Sequence, residues 1–479
     1  MALLALVLAL SAPVTADAVK ASRVPPDPDA GLKTFTHSEA KDVLANARSM
    51  LRGRPGKAAA RPSSGDLTMT LRDLYLARPS LAGPDRRAAN RLLSRDTAAA
   101  KVQTSAAAAA QKVTCSTHFC LHYNTSRTTA PWASTTLSTL EHVWGREVPF
   151  MGRAPLPDNG DLSDPDNPND KLDVFLRNLQ PQRIYGYCAA DGPSNASQVP
   201  AFCVLDDDYV GYGTPPTKAR QVTAAHEFFH AIQFSWDIGE DLWFMEGTAV
   251  WMEDYVYDSV NDNYQYLATS PIRNPRTSLD YAANTFPYGS FIFFTYASER
   301  RGAAVIRDFW EAAVGQPTSL QAIYGVVGAA AWSRFFATFG SWNTLPLHSY
   351  SERASYPTPA WDLKKTLTAR STTTGRRTPS ISHLGNSATL VTPGSKLRAG
   401  KRLLVEIDGP NKSLHPAALL QRRYRDGHVT HTLIALNAAG NGRTLVQFNR
   451  KLLNSIVVVL SNTNRYGAVR TFRMRASLR

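Results

Sequence analysis

The sequence predicts an α+β protein closed by a C-terminal β-sandwich. Residues 113 to 212 alternate apolar and polar in the manner of strands, and from 217 apolar positions recur at helical spacing. After 364, short apolar runs recur between Gly, Asn and Asp. At 479 residues the chain has the length for roughly two to four units of ordinary size. Hydrophobic content of 43% and aromatic content of 10% fit a globular protein. No run reaches the ~20 apolar residues that a bilayer-spanning helix needs, which argues against a membrane-embedded chain.

The first element, MALLALVLALSAPVTADAV, sets an apolar run before small residues at Ala16 and Ala18, so residues 1 to 18 read as an export signal. Residues 19 to 112 follow with helical patterns such as HSEAKDVLANARSML and DLTMTLRDLYLARPSL, then the low-complexity TAAAKVQTSAAAAAQ. Lying between a signal and the motif described below, this stretch is expected to be a propeptide.

The net charge of +14 is unevenly spread: −1 over 1 to 18, +9 over 19 to 112, −12 over 113 to 363 and +18 over 364 to 479. A basic segment facing an acidic unit suits a cover over a cleft, so its removal is expected to raise activity.

The block from 113 begins with TCSTHFCLHYN, where His118, Cys120 and His122 share one face and Phe119, Leu121 and Tyr123 the other, the pattern of a half-buried strand. Four cysteines, Cys115, Cys120, Cys188 and Cys203, form an even set that suits disulfides in an exported protein. Chain order suggests Cys115 with Cys120 and Cys188 with Cys203, among three possible connectivities. In DNGDLSDPDNPNDKLD, Asp158, Asp161, Asp164, Asp166, Asp170 and Asp173 crowd hard oxygen donors that suit Ca²⁺, without the spacing of an EF-hand.

The helical block carries the chemistry, in VTAAHEFFHAIQFSWDIGEDLWFMEGTAVWMED at 222 to 254. On a helix His226 and His230 lie one turn apart on one face and can bind one metal ion together. Glu227 sits at the edge of that face, where a general base can reach a water. Glu246 follows His230 by sixteen residues, across a turn region DIGED, and an antiparallel second helix would bring it to the histidines. Two imidazoles and one carboxylate leave a fourth tetrahedral position open, as in catalytic zinc sites.

HEFFH followed by W-x-x-E-G in WFMEGTAVWMED resembles the gluzincin metallopeptidases. The wider run from CSTHFCLHY through YGYC and VLDDDY to FGSWN is similar to a group of secreted bacterial metalloproteases in that clan. The resemblance covers roughly residues 67 to 345. It implies a two-lobed zincin-like catalytic domain over 113 to 363, with a mixed-sheet lobe, a helical lobe and Zn²⁺ between them. It makes His226, His230 and Glu246 the metal ligands, Glu227 the base and Tyr288, in TFPYGSF, the donor to the developing oxyanion. The acidic residue that some gluzincins place one turn after the glutamate ligand is Val250 here, which leaves Glu253 or Asp254 to orient a histidine.

The activity implied is zinc-dependent hydrolysis of peptide bonds in a protein or peptide substrate, by a secreted enzyme made as a zymogen. An endopeptidase is favoured over an aminopeptidase because no G-x-M-E-N segment precedes the motif. Residues 364 to 479, with QRRYRDGH and RTFRMRASLR, form the basic sandwich and could bind an anionic cell-envelope polymer. The second reading is therefore an envelope-binding or adhesion protein whose protease-like domain is inactive. No nucleic-acid motif is visible.

Overall fold

The computed structural model describes residues 33–52, 67–95, 110–157, 171–192, 196–352 and 355–479. The expected signal, the low-complexity linker up to residue 109 and five of the six loop aspartates lie outside these residues.

Three helices come first: α1 (His37–Leu51), α2 (Leu67–Ala77) and α3 (Gly83–Leu92). A capping box starts α1, with the Thr36 hydroxyl accepting from the Glu39 N–H and the Glu39 carboxylate accepting from the Thr36 N–H. Helix α2 is buried nearly all round, with Thr70 and Asp73 half-buried: Leu67, Thr68, Leu71, Leu74 and Tyr75 are fully enclosed and Arg72 is buried. Such a helix belongs in an interior. The segment expected to be a propeptide supplies α1 to α3 to the same apolar core as the rest of the first 350 residues.

Strands β1 (Gln111–Cys115) and β2 (Phe119–Asn124) form a hairpin joined by the Cys115–Cys120 disulfide. A long helix, α4 (Ala130–Met151), crosses over to β3 (Leu172–Arg177), which pairs parallel to β2. β5 (Ala201–Asp206) pairs parallel to β3, and β4 (Gly186–Ala190) lies antiparallel at the edge, giving the order β1-β2-β3-β5-β4. Cys188 and Cys203 face each other across β4 and β5 and are bonded, so both pairs follow chain order.

The structure corrects the half-buried reading of β2, which is buried on both faces. Its polar face is enclosed because the groups on it satisfy one another. The His122 ring bonds Asp173 at 2.8 Å and stacks on Phe175, while Arg95, beyond α3, closes on Asp173 at 2.6 Å. Asp173 is thereby committed to β3 and not to a calcium loop.

Helices α5 (Pro216–Trp236) and α6 (Leu242–Val256) pack together and are buried over nearly their whole length, α6 as a largely apolar helix and α5 with His226, Glu227, His230 and Gln233 enclosed among its apolar residues. Beyond them come α7 (Phe286–Gly289), α8 (Phe291–Arg301), α9 (Val305–Ala313), α10 (Ser319–Val327), α11 (Ala329–Trp342) and α12 (Pro346–Ser349). Among the described residues no helix is long and apolar enough to cross a membrane.

The C-terminal unit starts at β6 (Leu363–Leu367) and ends at β15 (Arg473–Leu478). Its five-stranded sheet adds β8 (Gly385–Pro393), β10 (Pro416–Tyr424), β11 (Val429–Leu433) and β13 (Leu453–Asn462) to β6, a three-stranded sheet sets β9 (Arg402–Asp408) between β12 (Asn441–Gln447) and β15, and β7 (Ser380–Ile381) pairs with β14 (Arg470–Thr471). Leu403, Val405 and Ile407 of one sheet share a core with Leu420, Val458 and Leu460 of the other. The outer face of the five-stranded sheet is covered as well: Ala337 of α11 packs on Ala388, Ala417, Leu419, Val457 and Val459, and the Trp332 indole N–H donates to the Thr463 carbonyl at 2.8 Å.

Candidate metal centre

Helix α5 presents His226 and His230 toward α6 with ring centroids 4.7 Å apart and planes nearly perpendicular. Glu246, in the first turns of α6, points its carboxylate between them. Its two oxygens lie 3.4 Å from His226 Nε2 and 3.9 Å from His230 Nε2. One ligand atom from each of the three residues falls within 4.8 Å of the others, and all three residues are buried.

The residue after Glu246 explains how α6 comes to sit there. A Cβ on Gly247 would fall 2.5 Å from Ser290 Oγ and 2.6 Å from a Phe294 ring carbon, so only glycine lets α6 and the start of α8 approach this closely.

Each imidazole is held through its other nitrogen. His226 Nδ1 meets Glu253 Oε1 at 2.7 Å, and His230 Nδ1 meets Gln233 Oε1 at 2.7 Å. The Gln233 amide is fixed in turn, since its nitrogen donates to the Met245 carbonyl and to Thr248 Oγ1. An amide oxygen can only accept, so Nδ1 of His230 carries a proton, and a neutral ring then presents a lone pair at Nε2. Of the two acidic residues that the sequence offered as the orienting group, the structure selects Glu253. Asp254 instead accepts from Asn263.

The donor set fits a divalent cation. Glu246 has both carboxylate oxygens buried and accepts no hydrogen bond among the described residues. Donors about 2.0–2.2 Å from a tetrahedral Zn²⁺ lie roughly 3.3–3.6 Å from one another, close to the separations found here. Burial disfavours a charged His226, yet Glu246 and Glu253 outweigh it and hold the imidazole well above its usual value. Burial also pushes the Glu253 carboxyl up to about 7, against the pull of His226.

Glu227 lies beside His226 and lines a cleft of about 390 Å³ with His226, Glu253, Tyr266, Tyr288 and Tyr185. Its Oε2 accepts from the Thr68 hydroxyl of α2 at 2.9 Å. Tyr288 is in the cleft wall, its ring parallel to that of His226 with centroids 6.0 Å apart, and Tyr266 stacks on it at 4.8 Å. The structure therefore brings together all five residues singled out from the sequence. Thr68, Gln233 and Tyr266 were missed: a threonine in an apolar helix, a glutamine three residues past a histidine and one tyrosine among eighteen carry no distinguishing pattern.

Two other polar clusters stand apart. Asp206, Asp207 and Asp208 could face one ion, but Asp206 accepts from the Leu179 and Tyr209 N–H groups and the Tyr212 hydroxyl, and Asp207 pairs with Arg127. A cleft of about 540 Å³ between the helices and the sandwich is lined by Arg300, Arg301, Arg334, His348 and His431, with no carboxylate in its wall.

The model of a family of unknown function, DUF6055, matches residues 205–336, a span that holds the histidines, Glu246 and Tyr288. No curated protein matches the chain. Among solved structures the chain is similar to the crystal structure of Aeromonas hydrophila PliG, a periplasmic lysozyme inhibitor of g-type lysozyme. That similarity has 10% identity and a TM-score of 0.17 over 25% of this chain and 100% of the other, too low to indicate a shared fold.

Proposed function

We propose that the chain is an exported zinc-dependent endopeptidase of the gluzincin type, with the five-stranded mixed sheet and the helices from α5 onward as its two lobes. The observation that carries this reading is the convergence of His226, His230 and Glu246, each imidazole braced through Nδ1 and the carboxylate otherwise unbonded. The two disulfides support export.

Zn²⁺ held by His226, His230 and Glu246 would supply a Lewis acid that polarises the scissile carbonyl and brings the pKa of water toward ~7. Glu227 takes a proton from the attacking water and delivers it to the nitrogen of the leaving amine as the C–N bond breaks. A phenol in the cleft wall donates to the oxyanion as it forms. Tyr288 is assigned that task, and Tyr266, which burial keeps a neutral donor, backs it.

Protein expressed with zinc should carry one zinc per chain by elemental analysis and hydrolyse unfolded casein until a chelator is added. Glu227→Gln should keep the zinc and lose at least ~10²-fold in hydrolysis, since the amide cannot accept the proton. Metal-free protein, or full activity in Glu227→Gln, would turn the balance to the envelope-binding reading, whose support is the carboxylate-free basic cleft against the sandwich.

A further inference from the structure

We infer that α2 is a permanent part of the candidate active site and that Thr68 is a positioning residue for Glu227. This rests on the peptidase reading above.

Thr68 is fully enclosed and its hydroxyl sits at a junction. It accepts from the Cys188 backbone N–H at 3.0 Å and meets Glu227 Oε2 at 2.9 Å. An ionised carboxylate only accepts, so the hydroxyl proton goes to Glu227 and a lone pair takes the Cys188 N–H. Cys188 lies on β4, the edge strand, whose ladder bonds on the other side go to β5. One threonine thus ties the base to the outward edge of the sheet.

Strand β4 itself reinforces the tie. The Cys188 sulfur approaches the Glu227 carbonyl at 3.0 Å, and a Cβ on Gly186 would fall 3.1 Å from Glu227 Cγ, so strand and base are packed without slack.

One turn along α2, Arg72 performs the matching task on the metal side. Its guanidinium donates to the Glu240 carbonyl at 2.7 Å and touches Met245 Sδ at 3.1 Å, in the loop and first turn that lead to Glu246. α2 therefore grips the base with one residue and the approach to the carboxylate ligand with another. The cleft lined by His226, Glu227 and Tyr288 exists with α2 seated, so the helix braces these groups from behind and does not fill the space before them.

A removable inhibitor would leave a working site when it departs. Removing α2 would instead leave the Glu227 carboxylate without its Thr68 donor and the Cys188 N–H without its acceptor, in an apolar hole vacated by Leu67, Leu71, Leu74 and Tyr75.

The test uses the full chain. Thr68→Val keeps the shape and removes the donor. Its kcat on a peptide substrate should fall by ~10-fold to 10²-fold, as expected for a hydrogen bond to a charged group, with KM and zinc content close to wild type. Thr68→Ser restores the hydroxyl and should recover most of the rate. In a second arm, a specific protease site placed within residues 96 to 109 is cut. The N-terminal fragment should stay bound through gel filtration, with activity unchanged. Thr68→Val as active as the parent, or a fragment that leaves and raises activity, overturns the inference. A wild type that hydrolyses nothing with zinc bound sinks the peptidase reading instead, so the two failures are distinguishable.

Discussion

At the scale of residues, Gln233 sets the chemistry of a histidine without carrying a charge. Its amide is pinned by two donor bonds, to the Met245 carbonyl and Thr248, so its oxygen has one orientation and His230 one tautomer. A carboxylate at this place would also accept from Nδ1 but would add charge to a pocket that already holds Glu227, Glu246 and Glu253. Gln233→Leu removes the acceptor and keeps most of the volume, and the freed imidazole can turn its lone pair away. Zinc affinity, measured by competition with a chromogenic chelator, should fall ~10-fold to 100-fold, the usual cost of losing a partner behind a ligand. Unchanged affinity would show that packing alone holds the ring.

At the scale of elements, helix α6 owes its place to Gly247. Alanine there gains roughly 1 kcal/mol of helix propensity. It also drives a methyl into Ser290 and Phe294, and such overpacking costs about 1–3 kcal/mol, so the clash wins. Gly247→Ala should lower the melting temperature and weaken zinc binding together, because Glu246 is the adjacent residue. A higher melting temperature would mean that α8 gives way freely.

The same helices show what a sequence discloses. The clustering of His226, His230 and Glu246 was legible because a candidate metal site needs fixed residue types at helical spacing, and the strand and helix blocks were legible from their periods. β2 was misread because alternation reports polarity and not exposure: His122 is polar and enclosed, its partners lying on β3 and beyond α3. Thr68 was invisible for a related reason, since its meaning lies in Glu227, distant in the chain. The integration of α2 into the core could have been suspected from LTMTLRDLYLA, whose apolar residues spread round the helix and leave only a narrow side, at Thr70 and Asp73, toward water.

At the scale of the whole molecule, the helices and the sandwich are joined by an ion pair as well as by α11. His383, in the turn before β8, meets Asp280, in the loop before α7, at 2.9 Å. The bond to Asp280 raises His383 above its usual 6.5 despite partial burial. Burial acts to raise Asp280, but the bonds from His383 and Ser278 bring it below its usual 3.8. The contribution of His383 is complete below 6.5 and is lost as pH rises through the elevated folded value. That of Asp280 is complete above 3.8 and is lost as pH falls through the depressed one. The thermal-stability advantage of wild type over His383→Ala should therefore be largest at about pH 5, roughly 0.5–1 kcal/mol, and shrink toward both alkaline and strongly acid pH. An advantage independent of pH would show that the pair acts by shape alone.

The covered outer face of the five-stranded sheet has a consequence for how the molecule would withstand proteolytic cutting. Ala388, Ala417, Leu419, Val457 and Val459 rest on α11, whose Phe336 and Phe339 belong to the core that surrounds the candidate metal centre. A cut that frees the last hundred or so residues would not shed an accessory. It would wet a wall of the core beneath the candidate site, so the resistance of that site to proteolysis is set at its far end, by the survival of a sandwich that supplies none of the residues lining the cleft.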